Sequence, residues 1–217
     1  MVIVDIKPLF IKKRIKKSKK PKSTRIKENN QWYKGRVCLD DGTDFVLYKK
    51  EIYRFNLEVG QVLQEEKYQE ILNEIFIKRA RKRAMNLVLK MDRSENDLRI
   101  KLKASGYPKE AVDDAIEYMY KFHYIDDLRL AKNFVRYYEY TKSISDLTMK
   151  LTKMGIKEEY IEEALSNELK LSEEDKILSI LSKRKYYKEN ADEKEKAKQY
   201  RYLISKGFKT SDIMKFL

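Results

Sequence analysis

Three stretches of the chain carry one pattern: Leu102-Lys-Ala-Ser-Gly106-Tyr107, Leu151-Thr-Lys-Met-Gly155-Ile156 and Leu203-Ile-Ser-Lys-Gly207-Phe208. An apolar residue follows each glycine by six positions (Val112, Ile161, Ile213) and another by ten (Ile116, Leu165, Leu217). The glycines stand 49 and 52 residues apart. Repetition at that period means stacked helical units, because a unit that cannot bury its apolar face alone must pack on a neighbour. One Leu-x3-Gly-apolar match would say little, since any helical hairpin tends to produce one. Three, each with the same downstream positions, set the architecture.

Around each glycine the local signals agree. Ser94 precedes Asp97 by three residues, a shortened capping box that opens a helix carrying Leu98 and Leu102 on one face. Gly106 then sits where a helix ends in the left-handed conformation, and Pro108 suits the start of the next helix. That helix bears Val112, Ala115, Ile116 and Met119 on one stripe. In the second unit Asp126 or Asp127 caps a helix through Leu130, Ala131, Phe134 and Val135, and Ser143 or Ser145 opens the next. The third unit begins at Ser172 with Asp175 three residues on. Its first two helices are more loosely joined, because Arg184 to Lys198 is charged and poor in apolar residues. The spacing predicts three short helices per unit, with Ser94, Gly106, Asp126, Gly155 and Gly207 serving the fold.

Upstream, Gly35–Leu39 and Phe45–Tyr48 flank Asp40-Asp-Gly-Thr43, a hairpin signal in which glycine supplies the positive φ of a tight turn. Val2–Ile6 alternates as a strand would, and from Gln64 to Met91 no Gly or Pro interrupts a helical spacing of Tyr68, Ile71, Leu72, Ile75 and Phe76. The expected fold is mainly α: a tandem array of three three-helix repeats behind a small basic module containing a β-hairpin. Its boundaries are read as 1–63 for the arm and β module, then 64–125, 126–171 and 172–217 for the repeats.

Charge is unevenly placed. Residues 1–36 hold 13 Lys/Arg against Asp5 and Glu28, net +11 of the total +14, whereas the rest is close to neutral. A nearly neutral body with a basic arm points to a polyanionic partner rather than to a merely solubilising tail. Lys12, Lys13, Arg14, Lys16, Lys17, Lys19 and Lys20 are the arm's candidate nucleic-acid or filament contacts. Arg79, Arg81, Lys82, Arg83, Arg93 and Lys101 are the candidates in the first repeat. Trp32, Tyr33, Tyr48 and Tyr53 could stack on unpaired bases, although the core of a small β module is the preferred role for most of them.

The composition argues against an enzyme. His123 follows Phe122 in an apolar stretch and reads as a packed or partly exposed side chain; Cys38 reads as a small buried residue in a strand. No Gly-rich phosphate loop and no paired Cys or His occurs, so neither cofactor nor metal is expected. A lone cysteine suits a reducing compartment, and no uncharged run approaches a membrane span, which together suggest the cytoplasm. A monomer is expected.

Laid out this way, the chain resembles the RecX family of RecA regulators. The likeness rests on Ser94–Leu98 leading to Lys101-Leu102 and Gly106, on Tyr124-Ile-Asp-Asp127 followed by Leu130-Ala131, on Leu151–Ile156 with Glu158 and Ile161, and on Lys206-Gly-Phe208 with Ile213. The resemblance implies a cytoplasmic, non-enzymatic protein that binds the RecA–single-stranded DNA filament in its groove. It further implies inhibition of recombinase and co-protease activity, and so modulation of DNA repair and the SOS response. The chain departs from the family at Lys142–Asp146, where Arg and Gly are common, and in its basic β module. The competing assignment is a general single- or double-stranded DNA-binding protein that works through the basic arm, with the helical array as scaffold.

Overall fold

In a computed structural model, residues 1–9 and 33–217 are described. Three antiparallel strands, β1 (Ile3–Leu9), β2 (Lys34–Leu39) and β3 (Asp44–Tyr48), form a sheet in that order. The hairpin around Asp40–Thr43 pairs Cys38 with Asp44 and Gly35 with Leu47. Alternation along the strands turns Val37, Leu39, Phe45 and Leu47 into the core. The same alternation corrects the expectation for Cys38: lying between two inward residues, it faces the other way and is half-buried. A short helix that the sequence reading missed, α1 (Lys49–Arg54), follows β3 directly.

The uninterrupted stretch after Gln64 is helical, but not uniformly. It runs as α2 (Glu65–Ile71), a π-helical segment (Leu72–Ile77) and α3 (Lys78–Val88). Apolar residues spaced three and four apart satisfy an α-helix, so nothing in the sequence announces the wider turn. Phe76 and Tyr68 from this stretch pack on Phe45, with ring centroids 5.3 and 6.0 Å apart.

The three repeats follow. The first contains α3, α4 (Glu95–Ala104) and α5 (Lys109–Lys121); the second α6 (Asp127–Tyr138), α7 (Ile144–Lys153) and α8 (Glu158–Glu168); the third α9 (Glu173–Lys183), α10 (Glu193–Ser205) and α11 (Thr210–Ile213). Compactness divides the chain into residues 1–84 with 100–118, and residues 85–99 with 119–217. The second repeat's core gathers Ala131, Val135, Leu147, Leu151, Ile156, Ile161 and Ala164. The third gathers Ile177, Ile180, Leu181, Tyr186, Leu203, Phe208, Ile213 and Leu217. Among the described residues no helix is long and apolar enough to cross a membrane.

The repeated sequence pattern is a Schellman motif written three times. Gly106, Gly155 and Gly207 have φ of +83°, +76° and +88°. Their N–H groups donate to Lys103, Thr152 and Ile204, and the apolar residues after them donate back to Leu102, Leu151 and Leu203. Each signature leucine is fully buried, so the motif ends a helix and seeds a core in the same six residues. Among the described residues three further helices end this way without glycine, the first being α1, which Asn56 (φ +44°) closes through bonds from Asn56 N–H to Tyr53 and from Leu57 N–H to Ile52. His123 (φ +54°) closes α5 through bonds from His123 N–H to Tyr120 and from Tyr124 N–H to Met119, and Lys185 (φ +55°) closes α9 in the same manner. His123 is exposed and acts as a helix terminator.

Candidate filament and nucleic-acid interface

The repeats are joined by an exchange of helix caps. Ser94 Oγ accepts from Asp97 N–H at the start of α4 and donates to the carbonyl of Met154, one residue before Gly155. Ser143 accepts from Asp146 N–H at the start of α7, while its own N–H donates to the carbonyl of Lys206, one residue before Gly207. A carboxylate completes each joint. Asp127 accepts from Glu95 N–H at 3.0 Å, and Glu173 accepts from Ile144 N–H at 2.6 Å. The second helix of one repeat thus has its free N-terminal amides served by the next repeat. Of the two aspartates proposed as caps, Asp126 caps its own helix through Arg129 N–H, and Asp127 caps its neighbour's. Burial pushes the Asp127 carboxyl above the ordinary aspartate range, only partly offset by that backbone bond.

A cleft of about 410 Å³ opens beside the first of these joints, lined by Glu95, Arg99, Tyr120, Asp127, Lys157 and Tyr160 among others. Its polar groups serve one another: Tyr120 Oη and Arg99 Nε both donate to Glu95, at 2.9 and 2.6 Å. Burial and that carboxylate push the Tyr120 hydroxyl pKa upward. The hydroxyl therefore stays protonated and serves as a hydrogen-bond donor to Glu95 in this cleft. Among the described residues no cluster of His, Cys, Asp and Glu could hold a metal.

The basic candidates separate into anchored and outward side chains. Arg79 forms a double salt bridge with buried Glu51, which also accepts from Tyr48 N–H, and its guanidinium stacks 4.6 Å from the Tyr48 ring. Arg81 grips Asp114 with two bonds of 2.6 and 2.7 Å and lies 4.7 Å from the Tyr118 ring. Arg93 is tied to Asp97 and to the Leu87 carbonyl. Partners 28 and 33 positions away hold Arg79 and Arg81, so their pairing is invisible along the chain. Lys101 is half-buried on α4. Lys82 and Arg83 are exposed on α3, as is Lys78. Lys142, at the point of departure from the family pattern, turns inward with Lys150 onto Asp146, where both donate to one carboxylate oxygen. Burial alone would raise the Asp146 pKa, but these two cations outweigh it and hold the carboxyl below its usual range. The arm candidates Lys12, Lys13, Arg14, Lys16, Lys17, Lys19 and Lys20, with Trp32, lie outside the described residues. The remaining aromatics correct the expectation of a β-module core: Tyr48 is half-buried, while Tyr33 and Tyr53 are 52% and 62% exposed. The inward positions of the sheet are already filled by aliphatic residues and Phe45.

The chain is similar in sequence and in fold to known proteins. Residues 172–217 match the family description "RecX, third three-helix domain". The chain is 31% identical over 180 residues to a regulatory protein RecX of Clostridium beijerinckii, covering 80% of this chain and 83% of that one. It is 27% identical over 197 residues to a regulatory protein RecX of Caldanaerobacter subterraneus, covering 89% and 97%. The fold is similar to a crystal structure of a regulatory protein RecX, with a TM-score of 0.55 at 24% identity over 84% of this chain and 94% of that one. It is also similar to the RecX structure from Lactobacillus salivarius, with a TM-score of 0.54 at 21% identity over 65% and 94%.

Proposed function

The chain belongs to the RecX family of regulatory proteins, and from that premise we propose that it binds the RecA–single-stranded DNA filament and inhibits recombinase and co-protease activity. In this reading it modulates DNA repair and the SOS response from the cytoplasm, as a monomer and without chemistry of its own. Blocking or bridging filament subunits suffices for inhibition.

The observation that carries the proposal is the division of labour on α3. Arg79 and Arg81 are held by carboxylates, whereas Lys78, Lys82 and Arg83 extend outward from the same helix. Exposed cations on a nearly neutral body suit a polyanionic partner, since each neutralised phosphate releases counterions and adds to the salt dependence of binding. The arm residues Lys12 to Lys20 extend that cationic character, and Lys101 and Arg93 are secondary candidates. In this reading the repeats begin at residues 64, 126 and 172.

The test is the single-stranded-DNA-dependent ATPase of the cognate RecA, titrated with this protein. Residues 1–36 contain β1 and the start of β2, so charge is removed rather than chain: one variant carries Gln at the seven arm positions, another carries Lys82→Gln with Arg83→Gln. Substoichiometric inhibition by the parent, weakened in either variant, is the expected result. An unchanged rate with persistent DNA binding overturns the proposal in favour of a general DNA-binding protein.

A further inference from the structure

We infer that the β module carries a stacking platform for single-stranded nucleic acid, in which Tyr33 and Tyr53 receive unpaired bases and Lys34, Lys49 and Lys50 meet the backbone. Lys49 links the two tyrosines. The Tyr33 carbonyl accepts from Lys49 N–H at 3.0 Å, and the Tyr33 ring meets the Tyr48 ring edge-on with centroids 5.0 Å apart. Lys34 Nζ lies 4.8 Å from the Tyr48 centroid, and Lys49 Nζ lies 5.7 Å from that of Tyr53. Tyr48, clasped between Lys34 and Arg79, is the fixed base of the patch; Tyr33 and Tyr53 are its open faces.

Charge favours a polyanion. Glu51, which lies beneath Tyr48, is buried and engaged by Arg79 and the Tyr48 amide, so it does not oppose an incoming phosphate. Open ring faces then choose among polyanions. A duplex hides its base faces, and an acidic protein surface offers none, whereas a single strand presents a π-face at every nucleotide. The platform is independent of filament binding, because it requires only unpaired bases.

The test uses the full chain and a labelled oligothymidine of ~16 nucleotides, read by fluorescence anisotropy at a salt concentration high enough to suppress the arm. Tyr33→Ala and Tyr53→Ala should each weaken binding by about 5- to 100-fold, while Tyr→Phe at either position retains it. Binding to the matching duplex should not change. Both rings are exposed, so the variants should melt with the parent. Alanine variants that bind oligothymidine like the parent, or that lose duplex and single strand equally, overturn the inference. Loss of affinity for the RecA filament with oligothymidine binding intact also overturns it, assigning the patch to a protein partner.

Discussion

Gly155 offers a way to weigh a repeat joint separately from the backbone conformation it requires. A Cβ at this position would lie 2.5 Å from Asn96 Cγ and closer still to Asn96 Cβ on α4. At Gly42, whose φ of +83° is also left-handed, a Cβ would meet nothing within 4 Å. Both alanine substitutions carry the cost of the left-handed region, about 1–2 kcal/mol. Only Gly155→Ala adds an overlap with packed neighbours, for which overpacking costs about 1–3 kcal/mol. Gly42→Ala should therefore destabilise by about 1–2 kcal/mol and Gly155→Ala by about 2–5 kcal/mol. Urea denaturation of both variants measures the difference, and Asn96→Gly closes a double-mutant cycle. In the Asn96→Gly background the cost of Gly155→Ala should fall to that of Gly42→Ala, since no Asn96 side chain is left to meet. If Gly155→Ala and Gly42→Ala cost the same in the parent chain, the close approach at the joint has no energetic consequence and the argument fails.

Three further expectations follow from the same structure. Lys185→Gly, which replaces a left-handed lysine at the end of α9, should stabilise the protein by ~1 kcal/mol, whereas Lys185→Ala should not; thermal melts distinguish them. Lys176 is fully buried and its ammonium, 3.8 Å from Glu173, has no hydrogen-bond partner among the described residues; desolvation holds its pKa below the usual lysine value. Nearby Glu139 already accepts from the Lys170 and Leu171 amides, so Lys176→Met should stabilise by about 1–2 kcal/mol. Because the folded pKa is lowered, the penalty is complete below it and is relieved as pH rises towards the unfolded lysine value, so the variant's advantage should shrink at alkaline pH; an advantage independent of pH would refute the cause. Asp146 has the opposite dependence. Its carboxyl is depressed, so its contribution is present above the ordinary aspartate pKa and lost as pH falls through the folded value; Asp146→Asn should cost about 1–2 kcal/mol at neutral pH and nothing in strong acid, as acid titration of stability would reveal.

What the sequence disclosed and what it withheld divide along chain separation. The Leu-x3-Gly-apolar motif is legible because a Schellman cap is closed by hydrogen bonds within six residues. Ser94, Ser143 and Ser172 are legible as caps for the same reason, each accepting from the amide three positions on. The joints were not legible: Asp127 serves Glu95 across 32 positions, and Ser94 reaches Met154 across 60. The candidate interface was legible as a list of cations but not as a surface, since Glu51 and Asp114, which anchor Arg79 and Arg81, lie in other elements. The π-helical turn left no trace because its buried residues also satisfy an ordinary helix.

The cap exchange between repeats has a consequence for how such a chain can change. Most of what each joint requires is main chain: two amides, a carbonyl and the space where a glycine has no side chain. Only the capping hydroxyl at the helix start and a carboxylate on the following repeat must be supplied by particular residues. Outward positions on the helices are therefore free to vary without loosening the array.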